Sequence, residues 1–308
     1  MGYQGQGFVF TRLLIPLDGS PTAEQVLPYG RTLARGLKIP VELVAVIDVH
    51  ALLTSVGQAR ILDRLLREET HKSENYLARV AKQFPGTPVE CAVEQGSAAE
   101  VIIDKAAADK STLIAMATHG RSGINRWLLG GVAEKVLRAT TNPLLLVREL
   151  RRRIEPMGEA ALRSVMVPLD GSELAEIALP TAAYLAKKLT VEIYLLRAYI
   201  NPYGAFAAGG GPYAVNLDEL MAGVRAETRG YLEEKMTALR KQGVEEISYL
   251  LQEGDAAEEI IAMAKETPDS LIVMCSHGRT GVKRWVLGSV AETVVRHANN
   301  PVLLLRGR

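Results

Sequence analysis

Short apolar runs alternate with longer amphipathic segments along the whole chain. In the first half the apolar runs are nearly continuous in Val, Ile and Leu, which is typical of parallel strands covered on both faces. They predict strands at Arg12–Leu17, Val41–Val49, Val89–Val93, Thr112–Ala117 and Pro143–Val147. The helical patterns between them fall at Thr22–Leu37, Gln58–Gln83, Ala98–Asp109 and Gly131–Thr140. This alternation predicts right-handed crossovers and a doubly wound α/β sheet.

The second half of the chain repeats the first. The stretch "LLIPLDGS", which starts at Leu13, aligns with "VMVPLDGS", which starts at Val165. Near the other end of each copy, "NPLLLV" from Asn142 aligns with "NPVLLL" from Asn300. The period of about 150 residues is too long for a solenoid repeat, so it indicates two copies of one domain.

We therefore predict one domain at 1–148, a charged linker at 149–162 and a second domain at 163–308. The second copy also has a Gly- and Pro-rich insertion within 200–216. An insertion of this kind can be a lid over a site or a simple loop, and the sequence leaves both interpretations open.

Composition restricts the class of protein. With 308 residues, of which 48% are hydrophobic and 23% charged, each half can bury a core. The formal net charge of +1 argues against a general attraction to nucleic acid or to an anionic membrane. No apolar run reaches the ~18–20 residues of a membrane span, no secretory signal is recognisable, and two cysteines give no disulfide framework. We expect a soluble cytoplasmic protein that binds neither nucleic acid nor membranes.

A glycine-rich loop precedes the last predicted helix of each copy. It reads "ATHGRSGINRWLLGG" at 117–131 and "CSHGRTGVKRWVLGS" at 275–289. Glycine allows a ligand to approach the backbone closely, and the first amides of a helix lack intrahelical partners. Together these features are typical of a phosphate site. A Gly-Ser pair is also an ordinary helix cap, but a simple connection of this kind takes only ~2–6 residues.

Standard nucleotide motifs are missing from the sequence. There is no P-loop motif, and no G-x-G-x-x-G follows the first strand. Instead, Asp18 and Asp170 come directly after the first strand of each copy, at the end of the sheet where ligands bind. A phosphoacceptor receiver domain also has an acid there, but it needs an Asp after the third strand and a Lys after the fifth. Here the third strands lead into "EQGSAAE" and "QEGDAAE", and an Arg rather than a Lys follows each fifth strand, so we set that class aside.

These motifs resemble those of the universal stress protein family. The resemblance rests on P-x-D-x-S at the end of the first strand, and on G-x-x-G followed, nine residues later, by G-[ST]. It covers both halves, so the chain resembles a tandem two-domain member. The resemblance implies a five-stranded parallel sheet of order 3-2-1-4-5 in each half. It also implies that some members bind ATP and others do not.

Carried onto the second copy, the resemblance implies an adenine nucleotide site. Asp170 would contact the ribose, the backbone of Ala198 the adenine, and the late loop the phosphates. The residues implied in this copy are Pro168, Asp170, Ala198, Cys275, Gly278, Arg279, Gly288, Ser289 and Val290. The matching residues of the first copy are Asp18, Val46, Gly120, Gly130, Gly131 and Val132.

The two copies depart from the family motif to different degrees. Cys275 and Ala117 each replace the first glycine of G-x-x-G, and Gly131 also replaces the hydroxyl residue that the second copy keeps as Ser289. A lost hydrogen bond to a charged group is worth roughly 1.5–3 kcal/mol. The sequence therefore favours tighter binding in the second copy.

The leading hypothesis is a stress-response protein that binds ATP, alone or with Mg²⁺, or a related adenine nucleotide. Phosphoryl transfer needs a metal anchor and an oriented nucleophile, so we expect slow hydrolysis at most. The alternative is a nucleotide-free scaffold. The resemblance implies pairing through the last strands, Pro143–Val147 and Pro301–Leu305, which would otherwise be exposed apolar edges. That pairing could join the two halves of one chain or the subunits of a homodimer.

Overall fold

The computed structural model describes residues 9–49, 59–118, 129–148, 158–200, 217–276 and 287–306. The strands are β1 (Arg12–Pro16), β2 (Val41–Ile47), β3 (Val89–Gln95), β4 (Thr112–Ala117), β5 (Leu144–Val147), β6 (Ser164–Pro168), β7 (Glu192–Tyr199), β8 (Ile247–Glu253), β9 (Ser270–Cys275) and β10 (Val302–Leu305). The helices are α1 (Leu27–Leu37), α2 (Ala59–Ala81), α3 (Ala98–Ala107), α4 (Gly131–Ala139), α5 (Glu173–Glu176), α6 (Ala178–Leu189), α7 (Leu217–Lys241), α8 (Ala256–Glu266) and α9 (Ser289–His297). Among these described helices, none combines the length and the apolar character that a membrane span requires.

The ten strands form one sheet of order β3-β2-β1-β4-β5-β10-β9-β6-β7-β8. Within each half every strand pair is parallel, and the order is 3-2-1-4-5. The predicted α/β fold with two similar doubly wound halves is therefore confirmed. Helices cover both faces of the sheet, and each of the two apolar layers contains residues of both halves.

The halves meet at the last strand of each. Strands β5 and β10 run antiparallel, with Val302 opposite Leu146 and Leu304 opposite Leu144. All residues of both strands are buried. An apolar edge strand left unpaired would be a template for aggregation, and here each last strand covers the other.

The first predicted helix is interrupted in the structure. Thr22–Leu37 was predicted as one helix, but a short 3-10 helix at Ala23–Val26 precedes α1. Pro28 explains the break, because proline donates no amide hydrogen and its ring crowds the carbonyl of the preceding turn. The second half behaves in the same way, since α5 ends before α6, which has Pro180 in its first turn. The other predicted helices and strands of the first half are present, with ends shifted by a few residues.

Strand β3 is less buried than the other strands of the first half. This strand lies at one end of the sheet, and its residues Glu90 and Cys91 are exposed. A terminal strand has a neighbour on one side only, so its burial is incomplete. Charged residues on such an edge also discourage pairing with another chain.

The Asn-Pro pair before each last strand has a structural role. The buried Asn300 side chain donates from Nδ2 to the Thr267 carbonyl at 2.8 Å and to the hydroxyl of Ser270 at 2.8 Å. Asn142 donates in the same way to the carbonyls of Ala106 at 3.0 Å and Asp109 at 2.8 Å. Buried carbonyls need hydrogen-bond partners, so each asparagine ties the connection between α3 and β4, or between α8 and β9, to the start of the last strand.

Part of the predicted linker contacts the first half. Residues 149–157 lie outside the described residues. Beyond them, the carbonyl of Gly158 accepts from the buried guanidinium of Arg31, and the carbonyl of Ala160 accepts from the Thr32 hydroxyl at 3.0 Å. These contacts attach the segment before β6 to helix α1.

Candidate functional site

A cavity of about 570 Å³ lies at the carboxyl ends of the strands in the second half. It is enclosed by the ends of β6, β7 and β9 and by the first turns of α8 and α9. Ligands of open α/β sheets bind at this edge, where the strand order reverses. Its lining includes seven residues that the sequence predicted as site residues, namely Pro168, Asp170, Ala198, Cys275, Gly288, Ser289 and Val290.

The first turn of α9 presents its amides to this cavity. The amide of Gly288 donates to the carbonyl of Ser276 at 2.8 Å, and the Glu292 amide makes the first intrahelical bond to Gly288, also at 2.8 Å. The amides of Ser289, Val290 and Ala291 lie between these two bonds and have no acceptor in the part of the chain that the structure describes. They lie at the positive end of the helix dipole, which favours an anion.

Asp170 is held in place by the turn that follows β6. Its Oδ1 accepts from the amide of Ser172 at 2.9 Å and from the Ser172 hydroxyl at 2.6 Å. The turn requires Gly171 in a left-handed conformation, with φ of +85°. The carboxylate of Asp170 is half-buried and lines the cavity, so it can accept hydrogen bonds from the hydroxyls of a ligand.

The other three predicted wall residues come from strand ends, and the first of them, Pro168, is the last residue of β6. Ala198 is in β7, opposite Gln252 of β8, and is half-buried. Cys275 ends β9 and is only 5% exposed. Its thiol is therefore part of the wall of the cavity, at the position where the family motif has its first glycine.

Three predicted site residues lie outside the described residues: Gly120, Gly278 and Arg279. The same holds for residues 201–216, which contain most of the insertion of the second copy.

The first half has nearly the same helix start. Gly130 precedes α4 with φ of −61° and ψ of 147°, against −63° and 146° for Gly288 before α9. Its amide donates to the carbonyl of Thr118 at 2.8 Å. A Cβ added to Gly131 would meet no atom of the described residues within 4 Å. The helix starts thus match in backbone geometry, and the hydroxyl of Ser289 is the side-chain difference between these two first residues.

The remaining predicted residues of the first half occupy matching places. Asp18 follows β1, and its Oδ1 accepts from the Ser20 amide at 2.9 Å. Val46 is a half-buried residue of β2, and Val132 is 40% exposed on the first turn of α4.

Sequence reasoning missed a cluster of polar side chains on the α7 side of the cavity. Tyr231 donates its hydroxyl to Glu176 at 2.9 Å, and Lys235 contacts the same carboxylate at 3.0 Å. Burial and the Glu176 hydrogen bond raise the pKa of Tyr231 above its usual range. The guanidinium of Arg197 stacks on the Tyr231 ring, with Cζ 4.6 Å from the ring centroid.

A signal for part of this cluster was present in the sequence. The first copy also has a Tyr-Leu pair, at Tyr76 and Leu77, and a glutamate at Glu24. Burial and Glu24 raise the pKa of Tyr76. Burial and Glu176 raise the pKa of Tyr231 in the same way. Self-comparison could therefore have found the tyrosine and the glutamate, but not Arg197, which has no basic counterpart in β2.

Comparison with known proteins decides the family. The sequence profile of the universal stress protein family matches residues 10–148 and again 161–306. The chain belongs to the universal stress protein family. A universal stress protein of Methanocaldococcus jannaschii is 30% identical over 150 residues, which are 48% of this chain and 85% of the relative. One from Mycolicibacterium smegmatis is 22% identical over 301 residues and has the tandem length, with 96% of this chain and 97% of the relative covered.

A solved structure supports the fold of this universal stress protein over its whole length. The crystal structure of a universal stress protein from Archaeoglobus fulgidus has a TM-score of 0.68 and 23% sequence identity. The match covers 96% of this chain and 98% of the other.

Proposed function

We propose that this protein binds ATP or a related adenine nucleotide in the cavity of its second half. The observation that carries the proposal is the first turn of α9, where three amides without acceptors among the described residues face a cavity that also contains Asp170. A cavity of about 570 Å³ is within the ~300–1,000 Å³ usual for small-molecule sites. Unpaired amides at a helix start favour phosphate, and an adjacent carboxylate favours a sugar hydroxyl.

Each part of the nucleotide then has a partner. Ser289 and the amides of Val290 and Ala291 would hold the phosphates, and Asp170 would accept from the ribose hydroxyls. The backbone at Ala198 would contact the adenine. Mg²⁺ prefers phosphate oxygens and water with few protein ligands, so it would enter as part of the nucleotide complex. The proposed role is binding in a stress response in the cytoplasm, with slow hydrolysis at most.

We propose the second half as the tighter of two sites. The backbone geometry before α4 and α9 is nearly the same, so the first half keeps the helix-start amides, while its first helical residue, Gly131, lacks the hydroxyl that Ser289 supplies. A hydrogen bond to a charged group is worth roughly 1.5–3 kcal/mol. The first site would therefore bind roughly ten to a hundred times more weakly.

A second proposed function is that of an internally paired scaffold with domains at 1–148 and 163–308 and a linker at 149–162. The observation that favours it is the antiparallel register of β5 and β10, whose residues are all buried. Each half would be the partner of the other, in place of a second chain. This role is compatible with nucleotide binding and does not depend on it.

Two measurements test nucleotide binding. Adenine nucleotide should be released when the purified protein is denatured, and millimolar Mg-ATP should raise the melting temperature. Gly288→Leu should remove the part of the shift that comes from the tighter second site, because the new side chain would occupy the space in front of the α9 amides, and leave only the smaller shift of the weaker first site.

Gly130→Leu is the matched control, since Gly130 has the same backbone conformation before α4. Gly130→Leu should lower the free energy of unfolding by about as much as Gly288→Leu does, and it should leave nucleotide binding at the second site unchanged. If the wild-type protein releases no nucleotide and its melting temperature does not rise with Mg-ATP, nucleotide binding is refuted. Only the second proposed function, the scaffold, then stands.

A further inference from the structure

We infer that Arg197 forms a subsite for a phosphate group on the ribose of the bound nucleotide. This inference rests on the proposed function, because it assumes an adenine nucleotide in the same cavity. The ligand class that it adds is an adenine nucleotide phosphorylated on the 2′ or 3′ oxygen. Arg197 is in β7, directly before Ala198, and its half-buried side chain lines the cavity.

The N–H donors of the Arg197 guanidinium have no acceptor among the described residues. In the part of the chain that the structure describes, Arg197 makes no hydrogen bond and no ion pair. By contrast, two basic side chains of α7 have carboxylate partners. Lys235 contacts Glu176 at 3.0 Å, and Arg225 contacts Glu253 at 3.0 Å. A guanidinium carries five N–H donors in a planar fork that matches a phosphate in a bidentate manner. A cation on a cavity wall that has no carboxylate partner among the described residues points to an anionic ligand.

The orientation of this guanidinium is set before any ligand binds. Its Cζ lies 4.6 Å from the centroid of the Tyr231 ring, a cation–π distance. The ring is itself held, because its hydroxyl donates to Glu176 at 2.9 Å. A stacked guanidinium keeps the N–H donors along its edge available. Less rotational freedom is then lost when a phosphate binds.

The position of Arg197 points to the ribose rather than to the 5′ phosphates. A Cβ added to Gly171 would lie only 3.1 Å from Nη2 and 3.4 Å from Nη1 of Arg197. The guanidinium therefore lies against the residue that directly follows Asp170, the proposed ribose ligand. In dinucleotide-binding folds, an arginine near the carboxylate that binds the ribose accommodates a phosphate at that position.

Among the described residues, none of the acidic residues of the cavity forms an ion pair with Arg197. Asp170 accepts two hydrogen bonds from Ser172 at one oxygen. Asp255 caps α8 and accepts from the amides of Ala257 at 2.9 Å and Glu258 at 3.2 Å. Both carboxylates thus receive donors from their own turns, whereas Glu227 is exposed to water. Within the described lining, Arg197 is the one lysine or arginine.

The first half provides an internal comparison. Pro168 pairs with Leu196 in the second half and Pro16 pairs with Val44 in the first, so the residue that corresponds to Arg197 is Ala45. Ala45 is buried and apolar. The subsite is therefore a property of the second half, and binding at the first site should not depend on a ribose phosphate.

Titration calorimetry with four nucleotides tests the inference: AMP, ADP, adenosine 2′,5′-bisphosphate and adenosine 3′,5′-bisphosphate. The wild-type protein should bind one of the two bisphosphates roughly ten- to a hundredfold more tightly than AMP. Arg197→Gln should lose that gain and keep its affinity for ADP, which has the same number of phosphates without a ribose phosphate. Arg197→Lys, which keeps the charge without the fork, should retain part of the gain.

The possible outcomes separate the two proposals. If ADP binds but neither bisphosphate exceeds AMP, or if the gain survives in Arg197→Gln, the ribose-phosphate subsite is refuted and nucleotide binding stands. If none of the four nucleotides binds to folded wild-type protein, the subsite is refuted, and if Mg-ATP does not bind either, nucleotide binding is refuted as well. Far-UV circular dichroism and melting curves of the variants establish that the comparison is made between folded proteins.

Discussion

Arg306, which follows β10, donates a hydrogen bond from its guanidinium to the main-chain carbonyl of Leu137, near the end of α4 in the other half. Arg148, which follows β5, makes the reciprocal bond to the carbonyl of Arg296 near the end of α9. Burial lowers the pKa of both arginines. Each bond places a cation at the carbonyl end of a helix, where the helix dipole favours positive charge.

The first prediction concerns this contact between the halves. Arg306→Met should lower the free energy of unfolding by about 1.5–3 kcal/mol, because a charged hydrogen bond is lost and a carbonyl is left without its donor. Arg148→Met should have a similar effect. Urea unfolding followed by circular dichroism measures both.

Arg163→Met is the control for the loss of an arginine. The Arg163 side chain is 81% exposed, so its replacement should change stability by less than about 0.5 kcal/mol. If Arg306→Met costs no more than Arg163→Met, the contact between Arg306 and Leu137 does not stabilise the protein.

The second prediction exchanges the first residues of α4 and α9. Ser289→Gly should weaken nucleotide binding roughly ten- to a hundredfold, because the hydroxyl donor is lost. Gly131→Ser should strengthen binding at the first site, since it restores the hydroxyl and a Cβ there meets no atom of the described residues within 4 Å. Calorimetric titration with Mg-ATP measures both affinities. Equal affinity of Ser289→Gly and the wild type would show that the Ser289 hydroxyl does not contribute to nucleotide binding.

The third prediction concerns the buried asparagine before β10. Asn300→Ala should destabilise the protein by about 1–3 kcal/mol, because the carbonyls of Thr267 and Ser270 lose their donor. Asn299 is the matched control, as it is the neighbouring asparagine and is exposed. Asn299→Ala should change stability by less than about 0.5 kcal/mol in the same urea titration. Similar losses for the two variants would contradict the assigned role.

The fourth prediction is a loss of stability at alkaline pH that depends on Tyr29. Burial, and then the charge of Asp269, raise the pKa of Tyr29 in α1 to about 12 from the usual value near 10. Below pH 10 the tyrosine is neutral in both states, and its contribution is fully present. Above pH 10 the unfolded chain releases the proton and the folded chain retains it, so stability falls as the pH rises toward 12.

Urea unfolding at pH 9 and pH 11 checks this prediction. The wild type should lose about 1.4 kcal/mol more than Tyr29→Phe between these two values, which corresponds to one pH unit of differential protonation. Equal losses in the two proteins would mean that Tyr29 ionises normally in the folded state. The phenylalanine variant removes only this tyrosine, so other titrating groups cancel in the comparison.

Much of the fold could be predicted because its signals are local in sequence. Apolar runs placed the strands, and duplicated stretches such as "PLDGS" indicated two equivalent halves. The helix start at Gly288 and Ser289 was predictable for the same reason, since a helix N-terminus is defined by a few neighbouring residues. The break before α1 was missed although Pro28 was visible, because the apolar pattern continues through it.

Arg197 could not be predicted, since its significance depends on contacts that are distant in sequence. Its partner Tyr231 is on α7, and it lies against Gly171 on the turn after β6. No spacing in the sequence indicates that these three residues meet, because the strand order brings β7 beside β6.

The sequence alone determined that this chain has two halves, that each alternates strands with helices, and that each last helix starts with amides suited to an anion. Periodicity and duplication encode these properties within short stretches of chain. Only the tertiary structure decided that β5 lies against β10, that Arg306 reaches Leu137, and that Arg197 stacks on Tyr231 and lies against Gly171. Such contacts join residues tens to hundreds of positions apart, and packing of the whole sheet selects them.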